Sequence, residues 1–89
     1  MDELPIPDEL TKDSQAREVA RVWVSRGRPT FVLQPNVWKD PGAWGILLAD
    51  FARHVAEADS QGARMEKAEV LRRVFAALDA ERAVPTDTE

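Results

Sequence analysis

The chain contains no cysteine. Disulfides, thiolate metal sites and thiol nucleophiles are therefore excluded. It has one histidine, His54, and a single imidazole without thiolates cannot supply the nitrogen and sulfur donors of a zinc centre. Its carboxylates are scattered and lack the spacing of a calcium loop, so neither a metal nor a cofactor is expected. Long hydrophobic runs are missing too. The longest, Ala43 to Ala49, falls far short of the ~20 residues that a membrane-spanning helix needs. There is no glycine-rich loop followed by a lysine and a hydroxyl, which excludes a P-loop. The opening Met1-Asp2-Glu3-Leu4-Pro5 has neither a basic stretch nor an apolar one and does not read as a signal peptide. With the missing thiols, this points to a cytoplasmic protein with no membrane partner.

Basic charge is in short supply: 12 Lys and Arg stand against 16 Asp and Glu, a net charge of −4. A dedicated nucleic-acid binder usually carries a basic excess, so nucleic acid is not the expected partner. The one local exception lies between Lys12 and Arg28, where Arg17, Arg21, Arg26 and Arg28 make a basic patch with no interleaved aromatics. Such a patch can meet phosphate, or it can pair with the acidic lead, with the acidic arc of another helix, or with water. Both ends of the chain are acidic. Residues 1–12 form a Pro-containing lead in which Leu4, Ile6 and Leu10 could dock on a core. Residues 84–89 read as a disordered tail.

At 89 residues the chain reads as a single domain. A fold of this size buries only roughly 60–65% of the surface its unfolded chain exposes, so association would help it. The pattern predicts an α+β fold of three helices and one short strand, in the order helix, strand, long central helix, helix. The first helix is expected from about Ser14 to Arg26, with Ala16, Val19, Ala20 and Trp23 at helical spacing and Gly27 ending it. Thr30 to Gln34, between Pro29 and Pro35, reads as the strand. Phe31 and Leu33 point one way, and Thr30, Val32 and Gln34 the other. No second strand is evident.

The central helix has the clearest start. Asp40 can cap it and Pro41 is pre-set for its first position. Trp44, Leu47, Leu48, Phe51, Val55 and Ala58 make a bulky stripe. Beside them Gly45, Ala49, Ala52 and Ala56 make a stripe of small residues that lets another backbone approach. Only Asp50, Arg53 and Glu57 form a polar arc, so cover on two sides is expected. Ser60-Gln61-Gly62 should end it. The last helix is expected from about Arg64 to Arg82, burying Ala68, Leu71, Val74, Phe75 and Leu78, with a Glu69–Arg73 ion pair on its outside.

Candidate chemistry is sparse. Asp50 and His54, four residues apart, could act as a carboxylate orienting a general base, although the same spacing also makes an ordinary surface pair. The backbone N–H groups after Asp40 could receive a phosphate, but Asp40 already places negative charge there and Pro41 removes a donor. Trp23 and Trp44 sit at core spacing. Trp38, in a loop, is the aromatic best suited to binding. Asp50, His54 and Trp38 are thus the polar site that a small-molecule-binding or catalytic domain would use.

The string Ala43-Trp44-Gly45-Ile46-Leu47-Leu48-Ala49-Asp50, followed by Arg53-His54-Val55-Ala56, resembles a small bacterial domain family of unknown function. An upstream helix ending in Val22-Trp23, then a short strand and then Trp38, is similar to the same family's layout, and the resemblance runs from about Leu4 to Leu78. It implies the architecture and no activity. The favoured function is therefore an interaction or accessory protein that self-associates, with a further protein partner open. A homodimer would pair the lone strand through Thr30, Val32 and Gln34 with its own copy. The competing arrangement lays the Leu4–Pro7 lead along that strand in a monomer.

Overall fold

The computed structural model of the chain describes residues 3–62 and 65–84. The elements are α1 (Asp8–Thr11), β1 (Ala20–Ser25), β2 (Arg28–Leu33), α2 (Gly42–Gly62) and α3 (Lys67–Ala83). The architecture is α+β. The chain divides into two compact units, Met1–Lys39 and Asp40–Glu89, and each has its own construction.

The first unit differs from the sequence expectation. No helix spans Ser14 to Arg26. Among the described residues of this unit the one helix is the single turn Asp8–Thr11, inside the lead. Ala20–Ser25 is instead a strand, paired antiparallel with β2 so that Ala20 faces Leu33, Val22 faces Phe31 and Ser25 faces Arg28. The strand at Thr30 is therefore not alone. Two features outweigh the helical spacing. Val19, Val22 and Val24 are β-branched and flank Trp23, a composition that favours a pleated strand. Arg26 and Gly27 both take positive φ, 56° and 77°. That is the backbone a two-residue type I′ hairpin turn requires, because its twist matches that of the strands. Gly27 closes a hairpin and does not cap a helix.

Cross-strand partners share a face. One face of the hairpin therefore carries Ala20, Val22, Val24, Pro29, Phe31 and Leu33, with no polar side chain among them. The other carries Arg21, Trp23, Ser25, Arg28, Thr30 and Val32. The expected split of Phe31 and Leu33 from Thr30 and Val32 holds.

The second unit is a helical hairpin and follows the sequence closely. The Asp40 carboxylate accepts the Gly42 N–H at 2.8 Å, and the Asp40 and Pro41 carbonyls accept the N–H groups of Ala43 and Trp44, each at 3.0 Å. Asp40 is thus the cap, Pro41 opens the helix, and α2 runs to Gly62 as expected. Helix α3 packs on the stripe of small residues: Ala52, Ala56 and Val70 are the buried apolar residues among those described. Leu71, Val74 and Phe75 are half-buried. Val70, rather than Leu78 (41% exposed), is the centre of the α3 face. Glu57 also accepts Lys67 Nζ at 2.7 Å, tying α2 to the start of α3. Of the expected tail, Val84 is described and exposed; Pro85 to Glu89 lie outside the described residues.

Candidate functional site

The polar residues singled out in the sequence come together only in part. Asp50 and His54 do meet on α2, His54 Nε2 lying 3.6 Å from Asp50 Oδ2. Their side chains are 60% and 77% exposed, so water surrounds the pair. Among the described residues of the unit, no third side chain forms an ion pair with either. Glu57, one turn further along, has its carboxyl held below the ordinary carboxylate range chiefly by its hydrogen bond from Lys67. Trp38 belongs to the first unit and is 39% exposed.

The four arginines of the basic patch fall at two ends of the hairpin. Arg26 sits in its turn and Arg28 at the turn end of β2, whereas Arg21 lies near the start of β1 and Arg17 precedes it. Some ~13 Å of strand separates Arg21 from Ser25. Arg21 is engaged: its Nε donates to Glu18 at 2.8 Å and its Nη1 to Glu3 at 3.3 Å. These bonds, Glu18 first, raise its pKa. Through Glu3 the acidic lead thus pairs with one of the four arginines, Arg21. Around Arg21 the lead shapes an open cleft of about 460 Å³, walled by Leu4, Ile6, Leu10 and Ala16.

The expected ion pair on α3 is present and larger than foreseen. Glu69 accepts Arg73 Nε at 2.8 Å and also Arg72 at 2.6 Å. Bonds from Arg72 and then Arg73 lower the Glu69 carboxyl to about 2. A carboxyl so lowered adds stability above its unfolded pKa, 4.5, and loses it as pH falls toward 2. The pair lies on the helix surface and serves structure.

The feature that stands out by chemistry is apolar. Val22, Val24, Phe31 and Leu33, which share the hairpin's unbroken apolar face, are 49%, 72%, 59% and 54% exposed. Among the described residues of the first unit, none covers that face enough to bury it. On α2, Leu48 and Phe51 of the bulky stripe are 53% and 55% exposed, and Ile46 on the opposite arc is 74% exposed. Of the two sides on which α2 was expected to be covered, the second unit itself covers one, the side of small residues. No helix among the described residues is long and apolar enough to cross a membrane.

Sequence reasoning missed the apolar face because it read Ala20 to Ser25 as helical. The alternation Ala20, Val22, Val24 opposite Pro29, Phe31, Leu33 was the available signal, with Arg26-Gly27 between the two runs.

A family model described as "Domain of unknown function (DUF5076)" matches residues 3–86. No curated protein matches the chain. A solved structure from the photosynthetic bacterium Rhodopseudomonas palustrus CGA009, provisionally described as a pyruvate dehydrogenase, is similar at 30% identity with a TM-score of 0.78. The similarity covers 100% of this chain and 91% of that one.

Proposed function

We propose that this chain, which belongs to the DUF5076 family of domains of unknown function, is a small cytoplasmic interaction or accessory protein that works as a homodimer. The observation that carries this is the uncovered apolar face of the hairpin, Ala20, Val22, Val24, Pro29, Phe31 and Leu33. A two-stranded hairpin on its own is marginal in water and needs something packed against it. A face without one charge or hydroxyl has the composition of a permanent homodimer interface, which is more apolar than transient ones. A second copy is also the partner present wherever the chain is made.

The description of the Rhodopseudomonas neighbour as a pyruvate dehydrogenase stays with that protein. Cofactor-driven chemistry is run in sites that shield reactive intermediates from water, and the pair that could serve as a general base, Asp50 with His54, lies open to solvent. A binding or catalytic role for Asp50, His54 and Trp38 is the reading to adopt if a His54→Ala variant loses a measured activity at unchanged stability.

Sedimentation velocity at micromolar concentration tests the dimer. The expected result is one species near twice the 10.0 kDa chain mass. A single species at the chain mass would overturn it and leave a different protein as the occupant of the apolar face.

A further inference from the structure

The geometry points to the outer edge of β2 as the seam of this dimer, pairing antiparallel with β2 of a second copy about a two-fold axis at Val32. This rests on the homodimer reading but places the contact between copies at the strand edge beside the apolar face; edge pairing joins the two faces and does not itself cover them. The Gln34 N–H donates to the Val19 carbonyl at 2.9 Å. With the register of the hairpin, this sets which residues bond inward. Hydrogen-bonded pairs recur every second residue in an antiparallel ladder, so Arg21 and Val32, Trp23 and Thr30, and Ser25 and Arg28 exchange bonds inside the hairpin. Phe31 and Leu33 therefore direct their N–H and C=O groups outward. Among the described residues of the unit no backbone hydrogen bond to these outward groups is formed.

An open edge invites another strand unless charge, a bulge or a proline blunts it. Here the stretch Thr30–Leu33 has no charge, so two copies can approach without repulsion. Its prolines, Pro29 and Pro35, stand at either end and leave the middle open. Centred on Val32, each Phe31 lies opposite the other copy's Leu33, and each such pair exchanges both ladder bonds. Pro29 then falls opposite Pro35; neither has an N–H to donate, so the ladder of bonds ends there. The β1 edge is the poorer choice, because Arg21 and its bonds to Glu3 and Glu18 bring the lead against that strand.

The product is a continuous sheet in the order β1-β2-β2-β1. Residues opposite each other keep their face, so the apolar faces of the two hairpins merge into one. On the other face, Thr30 and Val32 of each copy meet at the axis. Thr30 and Val32, expected from sequence at the dimer strand, thus flank the seam, while Phe31 and Leu33 supply its bonds.

The absence of native cysteine makes a clean test. In a non-hydrogen-bonded antiparallel pair the Cα atoms are ~4.5 Å apart, within disulfide range. A Val32→Cys variant should therefore cross-link to itself under mild oxidation at least tenfold faster than a Ser25→Cys control at the hairpin turn. If the wild type sediments as a dimer and Val32→Cys links no faster than Ser25→Cys, edge pairing is wrong and the dimer stands on another surface. If the wild type is monomeric, both readings fall. A second pair of variants reads the seam without thiols. Leu33→Pro removes an outward donor and keeps the inner ladder, so it should weaken dimerisation at least tenfold more than Leu33→Ala. Equal effects would overturn the pairing.

Discussion

Gly27 shows how one residue sets the first unit. Its φ of 77° lies where a Cβ is strained, although no atom within 4 Å would meet that Cβ. The constraint is therefore torsional and not steric crowding by neighbours. Gly27→Ala is expected to destabilise the hairpin by about 1 kcal/mol or more, whereas Gly27→Asn, which tolerates the left-handed region, should cost less. Comparing the two variants' denaturant midpoints checks this; equal midpoints would mean that the turn does not need its positive φ. Arg26, at φ 56°, already bears such strain, and it is why the pair Arg-Gly was hard to read as a turn: Asn-Gly would have signalled it plainly. By contrast Asp40 and Glu69 act through local bonds to near neighbours, and both were legible for that reason.

Among the elements, α2 and α3 were readable because their signals are long and redundant. A capped start, repeated helical spacing and Gly62 all agree over the 21 residues of α2. The expected close approach at the small-residue stripe is realised at Ala56, which is 0% exposed. Ala56→Leu should push α3 away and cost roughly 1–3 kcal/mol. Ala58→Leu, on the bulky stripe instead, should be much milder. Thermal melts of the two would sink this account if Ala58→Leu proved the more damaging. β1 is the opposite case. It has six residues, too few to separate a period of 2 from one of 3.6 when Ala16, Val19, Ala20 and Trp23 also fit a helix. Its identity depends on β2 across the turn, a pairing that no local window contains.

For the molecule as a whole, the described residues bury three apolar side chains, two of them alanines. That is a small core for a chain whose sequence is 44% apolar. If the missing cover is a second copy, folding and association are linked by mass action. The melting temperature should then rise by several degrees between low-micromolar and high-micromolar chain, which scanning calorimetry over that range measures. A concentration-independent melt would argue for a monomer that is stable with its apolar face in water.

The sequence by itself determined the absence of thiol chemistry, the α+β class, the extent of α2, the stripe on which α3 packs and the Glu69–Arg73 pair. Each is set by residue type or by contacts a few positions apart, and so is written locally. Only the tertiary structure decided that Ala20–Ser25 is a strand, that the basic patch divides between the ends of a hairpin, and that Val22, Val24, Phe31 and Leu33 form one face. Those outcomes turn on which residues lie opposite each other across Arg26 and Gly27. A competition between two backbone periods is resolved by cross-strand pairing and not by propensity.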